Sequence, residues 1–471
     1  MPGPATNGPS GDGKRHLNVY DRASSLNKDG HRNFVHPADV KGRFTTARHV
    51  VFAILGIILV FVPWIRIAGR PALFLDVPAR RFFLFGMSYN AQDFWLAFFL
   101  ATGLLFTLLF VTTVLGRVWC AWSCPQTVFL EGVFRPLERL IEGPRNERIR
   151  RNAGPRNFDF WWRKILKHSL FVISAGLIAH AFLAYFVSIP SLIDMVQHDP
   201  SEHPTAFAWM AVVTALLYGN FAWFREQLCL IICPYGRLQS ILTDDDSMVV
   251  GYDALRGEPR GKGKGRSGLG SCVDCDRCVT VCPTGIDIRN GLQLDCIGCT
   301  QCIDACDEVM DKLKQPRGLV RYDSLRGFQG GKHRWLRPRV FAYVGAGLLG
   351  LTVATFAMRS RTPFESNLLR MRGMPYVVEG DLVRNTFELH VINKQDHPLV
   401  LHLRSEAPDG IEAPIEDEVR LEALENHPMT IVARGPREAF HDGATLSVVV
   451  TTDDEGTPYE HRETAPLLGP R

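Results

Sequence analysis

The sequence predicts a mixed architecture: a polytopic α-helical membrane domain of about five spans, a cysteine-rich insert ahead of the last span, and a small all-β domain at the C-terminus. Three observations carry this reading. Apolar residues gather in five blocks, cysteine is confined to residues 120–306, and the tail alternates apolar and polar residues between turn signals. Averages hide the pattern, since 46% hydrophobic and 22% charged residues are ordinary for a soluble chain. A formal net charge of +4 is too small to argue for nucleic acid.

The insert is the most specific stretch. It reads Cys272-x2-Cys275-x2-Cys278-x3-Cys282-Pro283 and then, after a gap, Cys296-x2-Cys299-x2-Cys302-x3-Cys306. Three thiolates in a tight loop converge on one corner of an iron–sulfur cube, and the fourth arrives from the other run. The spacing therefore predicts a bacterial two-[4Fe–4S] ferredoxin-like domain with exchanged last ligands. Cys272, Cys275, Cys278 and Cys306 hold the first cluster; Cys282, Cys296, Cys299 and Cys302 hold the second. Zinc sites favour separated C-x2-C pairs, often with histidine, and disulfides do not suit x2 triplets in a reducing compartment. Asp307 stands where proline follows the first run.

Residues 1–44 are rich in Gly, Pro, Asn and charge, predict a mostly disordered arm, and contain no apolar signal core. The span candidates are 50–65, 94–115, 169–187, 205–224 and 340–358, against the roughly 20 residues a crossing needs. The first is short and must borrow residues back through Arg48. Lys and Arg number eight before the first span, four in 66–93, ten in 116–164, none in 188–204 and five in 326–339. That alternation predicts an inside N-terminus and an outside C-terminus, with the four arginines of the first outer loop as its weak point. All twelve cysteines then face the reducing side.

The domains expected are a cytoplasmic arm at 1–44, four spans at 45–240, the ferredoxin-like domain with its linkers at 241–336, a fifth span at 337–360, and a β domain at 361–471. In the tail, 386–392, 399–403 and 444–451 read as strands, split by Asp409-Gly410, Asp442-Gly443 and Gly456-Thr457-Pro458. A tail of about 110 residues suits a β-sandwich of immunoglobulin-like size.

Two internal echoes stand out. Spans one and two with Cys120-x3-Cys124-Pro125 resemble spans three and four with Cys229-x3-Cys233-Pro234. Tyr252-Asp253-Ala254-Leu255-Arg256-Gly257 is matched by Tyr322-Asp323-Ser324-Leu325-Arg326-Gly327, as two similar strands or turns bracketing the insert. A proline after the second cysteine biases that cysteine away from α geometry, so each pair is expected where a span ends and a new segment starts. After Pro125, apolar residues Phe129, Val133, Leu137 and Ile141 recur at four-residue steps, predicting a helix along the inner membrane surface, with Pro136 against it.

Three readings of the paired thiols stay open. Cys120, Cys124, Cys229 and Cys233 are small packing residues, dithiol–disulfide pairs, or a soft-metal site that selects Cu(I). His168 and His180 are polar residues in or beside a span; about 120° apart on a helix, they do not share a ligand.

Together these features resemble the cytochrome c oxidase accessory protein family known as CcoG, FixG or RdxA. The resemblance is carried by Val40-Lys41-Gly42-Arg43-Phe44, by Val118-Trp119-Cys120-Ala121-Trp122-Ser123-Cys124-Pro125-Gln126, by Arg225-Glu226-Gln227-Leu228-Cys229-Leu230-Ile231-Ile232-Cys233-Pro234-Tyr235, and by Arg256-Gly257-Glu258-Pro259-Arg260-Gly261. The double cysteine run and β tail complete it. It implies a bacterial inner-membrane cupric reductase that supplies Cu(I) for assembly of a cbb-type cytochrome c oxidase. Cys120, Cys124, Cys229 and Cys233 would then be copper-facing or redox thiols beside two [4Fe–4S] clusters. Expected partners are membrane lipid, a cytosolic electron donor, a copper transporter or chaperone, and oxidase subunits or assembly factors; a homodimer is open. The alternatives are a quinol-linked membrane ferredoxin feeding a respiratory reductase, and a non-catalytic scaffold or redox sensor.

Overall fold

The computed structural model describes residues 34–471 except 68, 79, 80, 90–92, 263–267, 360, 361, 396, 442, 455 and 471. The disordered arm expected over 1–44 lies outside the described residues for 1–33. Its remainder is ordered, which corrects that expectation: Ala38 N donates to Thr280 O at 2.8 Å, and Arg145 and Arg148 donate to His36 O and Pro37 O at 2.9 and 3.1 Å. Arginine fans therefore satisfy a polar backbone stretch that has no secondary structure of its own.

The chain divides into two compact units, Met1–Ile65 with Leu100–Leu351, and Arg66–Phe99 with Thr352–Arg471. Among the described residues, five helices are long and apolar enough to cross a membrane: Arg43–Trp64, Trp95–Leu115, Phe158–Leu183, Pro204–Phe224 and Pro338–Met358. The first helix starts well before its apolar run. The Asp304 carboxylate accepts from Phe44 N at 3.3 Å and Thr45 N at 2.7 Å, capping the positive end of the helix dipole. A Cβ at Gly42 would fall 2.2 Å from Asp304 Cγ, so glycine permits the close approach. Arg48, only 2% exposed, is absorbed by Ala121 O at 3.1 Å and the face of Phe52.

The third helix also begins early, at Phe158, where the Asn157 side chain accepts from Phe160 N at 3.0 Å. Its charged first turns are stabilised by carboxylates on the helical run after Pro125. Lys164 and Lys167 reach Glu142 at 2.8 and 3.0 Å. Glu138 meets Arg225 at 3.0 Å, Arg148 at 3.1 Å and Lys167 at 3.6 Å. Arg135 bonds Glu131 and approaches Glu226 at 3.4 Å.

In this run, expected along a membrane surface, the charged face is enclosed by protein. Phe134 and Glu138 are each 1% exposed, and Phe134 stacks on Phe221 and meets Phe171 edge-on. The four-residue apolar period leaves the opposite face unread: Glu131, Arg135, Glu138 and Glu142 are buried there against oppositely charged partners. A π-helical segment at Leu130–Phe134 lets Pro136 enter the first turn of the helix Arg135–Glu142.

In the insert, Met248–Tyr252 pairs antiparallel with Val320–Ser324, and short helices Ala254–Gly257 and Leu325–Phe328 follow each strand. The sequence echo is thus a two-stranded ladder that closes the insert at its base. Asp307 sits inside the helix Gln301–Lys312, where proline would remove a hydrogen bond, and accepts from Gly318 N at 3.0 Å.

The second unit is a two-sheet sandwich. One sheet orders Asn426–Pro436, Leu382–Asn393 and Phe364–Arg370, with Val377–Glu379 beside Leu382–Asn393; the other orders Glu418–Leu421, Leu399–Glu406, Thr445–Asp454 and Thr457–Pro466. Inward-facing Val383, Phe387, Leu389, Val391, Leu401, Leu446, Val448 and Val450 form the core, as strict alternation requires. Within this unit the loop after the first span joins the tail: Arg81 donates to Leu424 O at 2.7 Å, and Asp93 pairs with Lys394 at 3.5 Å.

Candidate redox site

The two cysteine runs fold alike because each places left-handed residues between its cysteines. Asp274 and Asp276 have φ of 51° and 56°; Gly298 and Thr300, at the matching positions, have 70° and 64°. Alternating handedness coils the backbone so that successive side chains point inward. A left-handed threonine is a costly conformation, held here by burial at 1% exposure and by its hydroxyl donating to Cys299 O at 2.6 Å.

Two cavities result. One, of about 370 Å³, is lined by Cys272, Cys275, Cys278 and Cys306 with Tyr252, Met310 and Leu319 among its walls. The other, of about 340 Å³, is lined by Cys282, Cys296, Cys299 and Cys302, with Cys278 also reaching it. Each thus gathers three cysteines of one run and the last of the other. Among the described residues no three His, Cys, Asp or Glu side chains are placed to hold a single metal ion. Four thiols around a larger void fit a polynuclear cluster, and not one zinc ion. Burial pushes the thiols of Cys278, Cys299 and Cys306 up to about 12, and raises Cys296 and Cys302 as well. They ionise when a metal centre replaces the proton.

The paired cysteines stand at chain breaks. Cys120 lies in the short helix Val118–Trp122, whereas Cys124 is extended and precedes the helix Pro125–Phe129. Cys229 lies in the π-helical turn Leu228–Ile232, and Cys233 is extended ahead of Pro234–Leu242. Gln126 ties the two paired-cysteine segments together, donating to Arg225 O at 2.9 Å and accepting from Asn220 at 2.6 Å.

The four thiols are close enough for the charge on each to be felt by others, yet they do not form a closed cage. Burial pushes Cys120 up to about 11 and Cys229 to about 12. Cys120 receives a hydrogen bond from Gln239 Nε2 at 3.3 Å, and Gln239 is fully buried.

The thiol pairs and the second cluster cavity adjoin. Cys229 shares a cavity with Pro283, Thr284 and Ile297, residues that flank Cys282 and Cys296. Arg117, three residues before Cys120, donates to Cys296 O at 2.6 Å and also to Leu294 O. Arg135 donates to Pro283 O at 3.0 Å. Such an arrangement can pass single electrons between a cluster and soft sulfur ligands. The histidines stand apart from it: His180 Nδ1 donates to Gly176 O in its own helix at 2.8 Å, and His168 bonds Tyr218 at 3.0 Å.

Sequence reasoning missed Arg48, Arg117, Arg135 and Gln239. The available signal was positional: arginine within an apolar span and arginine three residues before a C-x3-C-P pair are both unusual.

Comparison with known proteins places these features. Residues 224–325 match the family model of a 4Fe-4S dicluster domain, 94–144 that of a 4Fe-4S binding domain, and 354–470 that of an IG-like fold at the C-terminal of FixG. The nitrogen fixation protein FixG of Rhizobium meliloti is 36% identical over 77% of this chain and 77% of its own. Protein RdxA of Cereibacter sphaeroides is 35% identical over 91% of this chain and 95% of its own. Protein RdxB of the same organism is 35% identical over 93% and 92%.

Proposed function

This chain belongs to the FixG/RdxA family and is an iron–sulfur electron-transfer protein, and on that premise we propose that it reduces Cu(II) to Cu(I) for assembly of a cbb-type cytochrome c oxidase. The observation that carries the reading is the shared cavity of Cys229, Pro283, Thr284 and Ile297, with Arg117 joining the Cys120 segment to Cys296. Cys272, Cys275, Cys278 and Cys306 hold one [4Fe–4S] cluster and Cys282, Cys296, Cys299 and Cys302 the other. When bound, the clusters supply single electrons, matching the one-electron change from Cu(II) to Cu(I).

The chain's own residues bind and orient. Cys120, Cys124, Cys229 and Cys233 present soft sulfur to copper as substrate, and thiolates favour the +1 ion. Each pair brings two sulfurs to one chain break, an incomplete ligand set that suits a cargo that must leave again. The donor is a cytosolic one-electron carrier, and Cu(I) passes to a transporter or chaperone. The protein lies in a bacterial inner membrane with its clusters cytoplasmic and its β domain periplasmic, against oxidase subunits or assembly factors. Packing of the 66–99 loop with the 352–471 tail in one unit supports putting both on one side, despite the loop's arginines.

The test is direct. Cys120→Ser together with Cys229→Ser is expected to lower Cu(II) reduction by membranes carrying the protein at least tenfold, while both cluster spectra persist. Unchanged copper reduction removes the copper reading; cluster reduction by added quinol without copper favours a quinol-linked relay. For topology, a thiol reagent that cannot cross membranes is expected to spare Cys124 and Cys233 in intact cells and to label them in inverted vesicles.

A further inference from the structure

The two cluster cavities have equivalent ligand sets but unlike surroundings. Around the first, the cations are each matched by carboxylates. Arg289 pairs with Asp274, Asp276 and Asp287, all at 2.7 Å. Arg277 faces Glu308 at 3.6 Å, and Arg260 and Lys262 both approach Asp274 at 3.9 Å.

Around the second, three arginines arrive from the membrane-associated elements. Arg117 donates to Cys296 O and Arg135 to Pro283 O next to Cys282, while Arg48 donates to Ala121 O beside Cys120. Arg135 is neutralised by Glu131 and Glu226. Among the described residues Arg117 forms no ion pair with a carboxylate, and Arg48 bears on the buried Glu131. Two hydrogen bonds fall on the sulfurs themselves, from Gly298 N to Cys296 and between Thr284 and Cys282, both at 3.4 Å.

We propose that Arg117 makes the cluster held by Cys282, Cys296, Cys299 and Cys302 the more easily reduced of the two, so that electrons rest beside the paired thiols. The inference rests on the ligand sets assigned above and adds a direction to them. Net charge and hydrogen bonds to sulfur are the levers by which a protein tunes such a cluster. Each reduction adds negative charge, which an unpaired guanidinium stabilises and a neutralised one does not.

Three features act the other way. Asp295 bears on Cys296, the Tyr252 hydroxyl bonds the Cys272 sulfur, and the exposed Cys275 admits water to the first cluster. The charge of Arg117, with the two hydrogen bonds on sulfur in the second set, outweighs one carboxylate, one hydrogen bond and one open edge. Arg117 is thus a positioning and potential-setting residue, and a bridge between the two redox segments. It touches neither substrate nor sulfur directly.

The experiment is a redox titration of the full-length protein in detergent, followed by low-temperature electron spin resonance. Two transitions are expected. In Arg117→Gln the higher one falls, with the reduced-to-oxidised ratio at a fixed poise dropping about tenfold, or about 59 mV for one electron; the lower one stays. Arg117→Lys keeps the charge and is expected to recover most of the loss. Arg289→Gln leaves Asp274, Asp276 and Asp287 without their shared cation and is expected to depress the lower transition alone.

A shift of the lower transition in Arg117→Gln, no shift at all, or equal shifts in the Gln and Lys variants would each overturn the proposal. Two signals that ignore Arg117 remove only this inference. Fewer than two signals in the unaltered protein remove the ligand assignment beneath it. Loss of copper reduction with normal potentials bears on the copper reading and leaves this one standing.

Discussion

Cys306→Ser is expected to abolish the cluster whose other three ligands lie at residues 272–278, and to spare the one beside its own run. Iron content should fall to about half, since one of two equal clusters is lost. The surviving signal should be the one that responds to Arg117→Gln. Cys282→Ser should do the converse, leaving a signal that responds to Arg289→Gln. The reason is the crossing of ligands between runs: Cys306 lines the cavity of Cys272, Cys275 and Cys278, and Cys282 that of Cys296, Cys299 and Cys302. If Cys306→Ser instead removes the Arg117-sensitive signal, each run binds its own cluster and the assignment is wrong.

The second large effect belongs to Glu138. This carboxylate is 1% exposed among Arg225, Arg148 and Lys167. Removing it by Glu138→Ala leaves buried cations without a counter-ion, a change that costs about 3–5 kcal/mol. Thermal unfolding in detergent should show it, and Lys312→Ala, at an exposed pair with Glu308, should be nearly silent by comparison.

The acid limb follows from the same site. Burial pushes the Glu138 carboxyl up, but Arg225, Lys167 and Arg148 overcome that and hold it at about 2, below the ordinary 4.5. A depressed carboxyl stabilises the fold above its unfolded value. Its contribution, about 3 kcal/mol, is therefore complete above about pH 4.5 and lost as pH falls towards 2. Glu138→Gln should flatten that part of the stability–pH curve. An unaltered acid limb would show that Glu138 does not carry it.

The parts legible from sequence were those set by local rules. The cluster runs were readable because the x2 spacing leaves a thiol loop little choice, and Asp274, Asp276, Gly298 and Thr300 coil it as that spacing demands. The family models add that 94–144, with only Cys120 and Cys124, resemble a 4Fe-4S binding domain, a likeness the C-x3-C-P spacing did not suggest. The break at each second cysteine was readable from proline. What failed was the helix after Pro125, where a four-residue apolar period read as one buried stripe and one wet face. The other face carries Glu131, Arg135, Glu138 and Glu142, and those charges are buried against partners from three distant segments.

By itself the chain determined where sulfur gathers, how many helices are long and apolar enough to cross a membrane, and that the tail alternates into a sandwich, because each follows from spacing and periodicity over a few neighbouring residues. Tertiary structure alone decided which arginines surround which thiols, that Asp304 caps the first span, and that Cys229 faces the shell of Cys282 and Cys296. Charge pairing and cavity walls join residues 70 to 260 positions apart, and no local pattern records which of many equally basic residues will be the one left without a counter-ion.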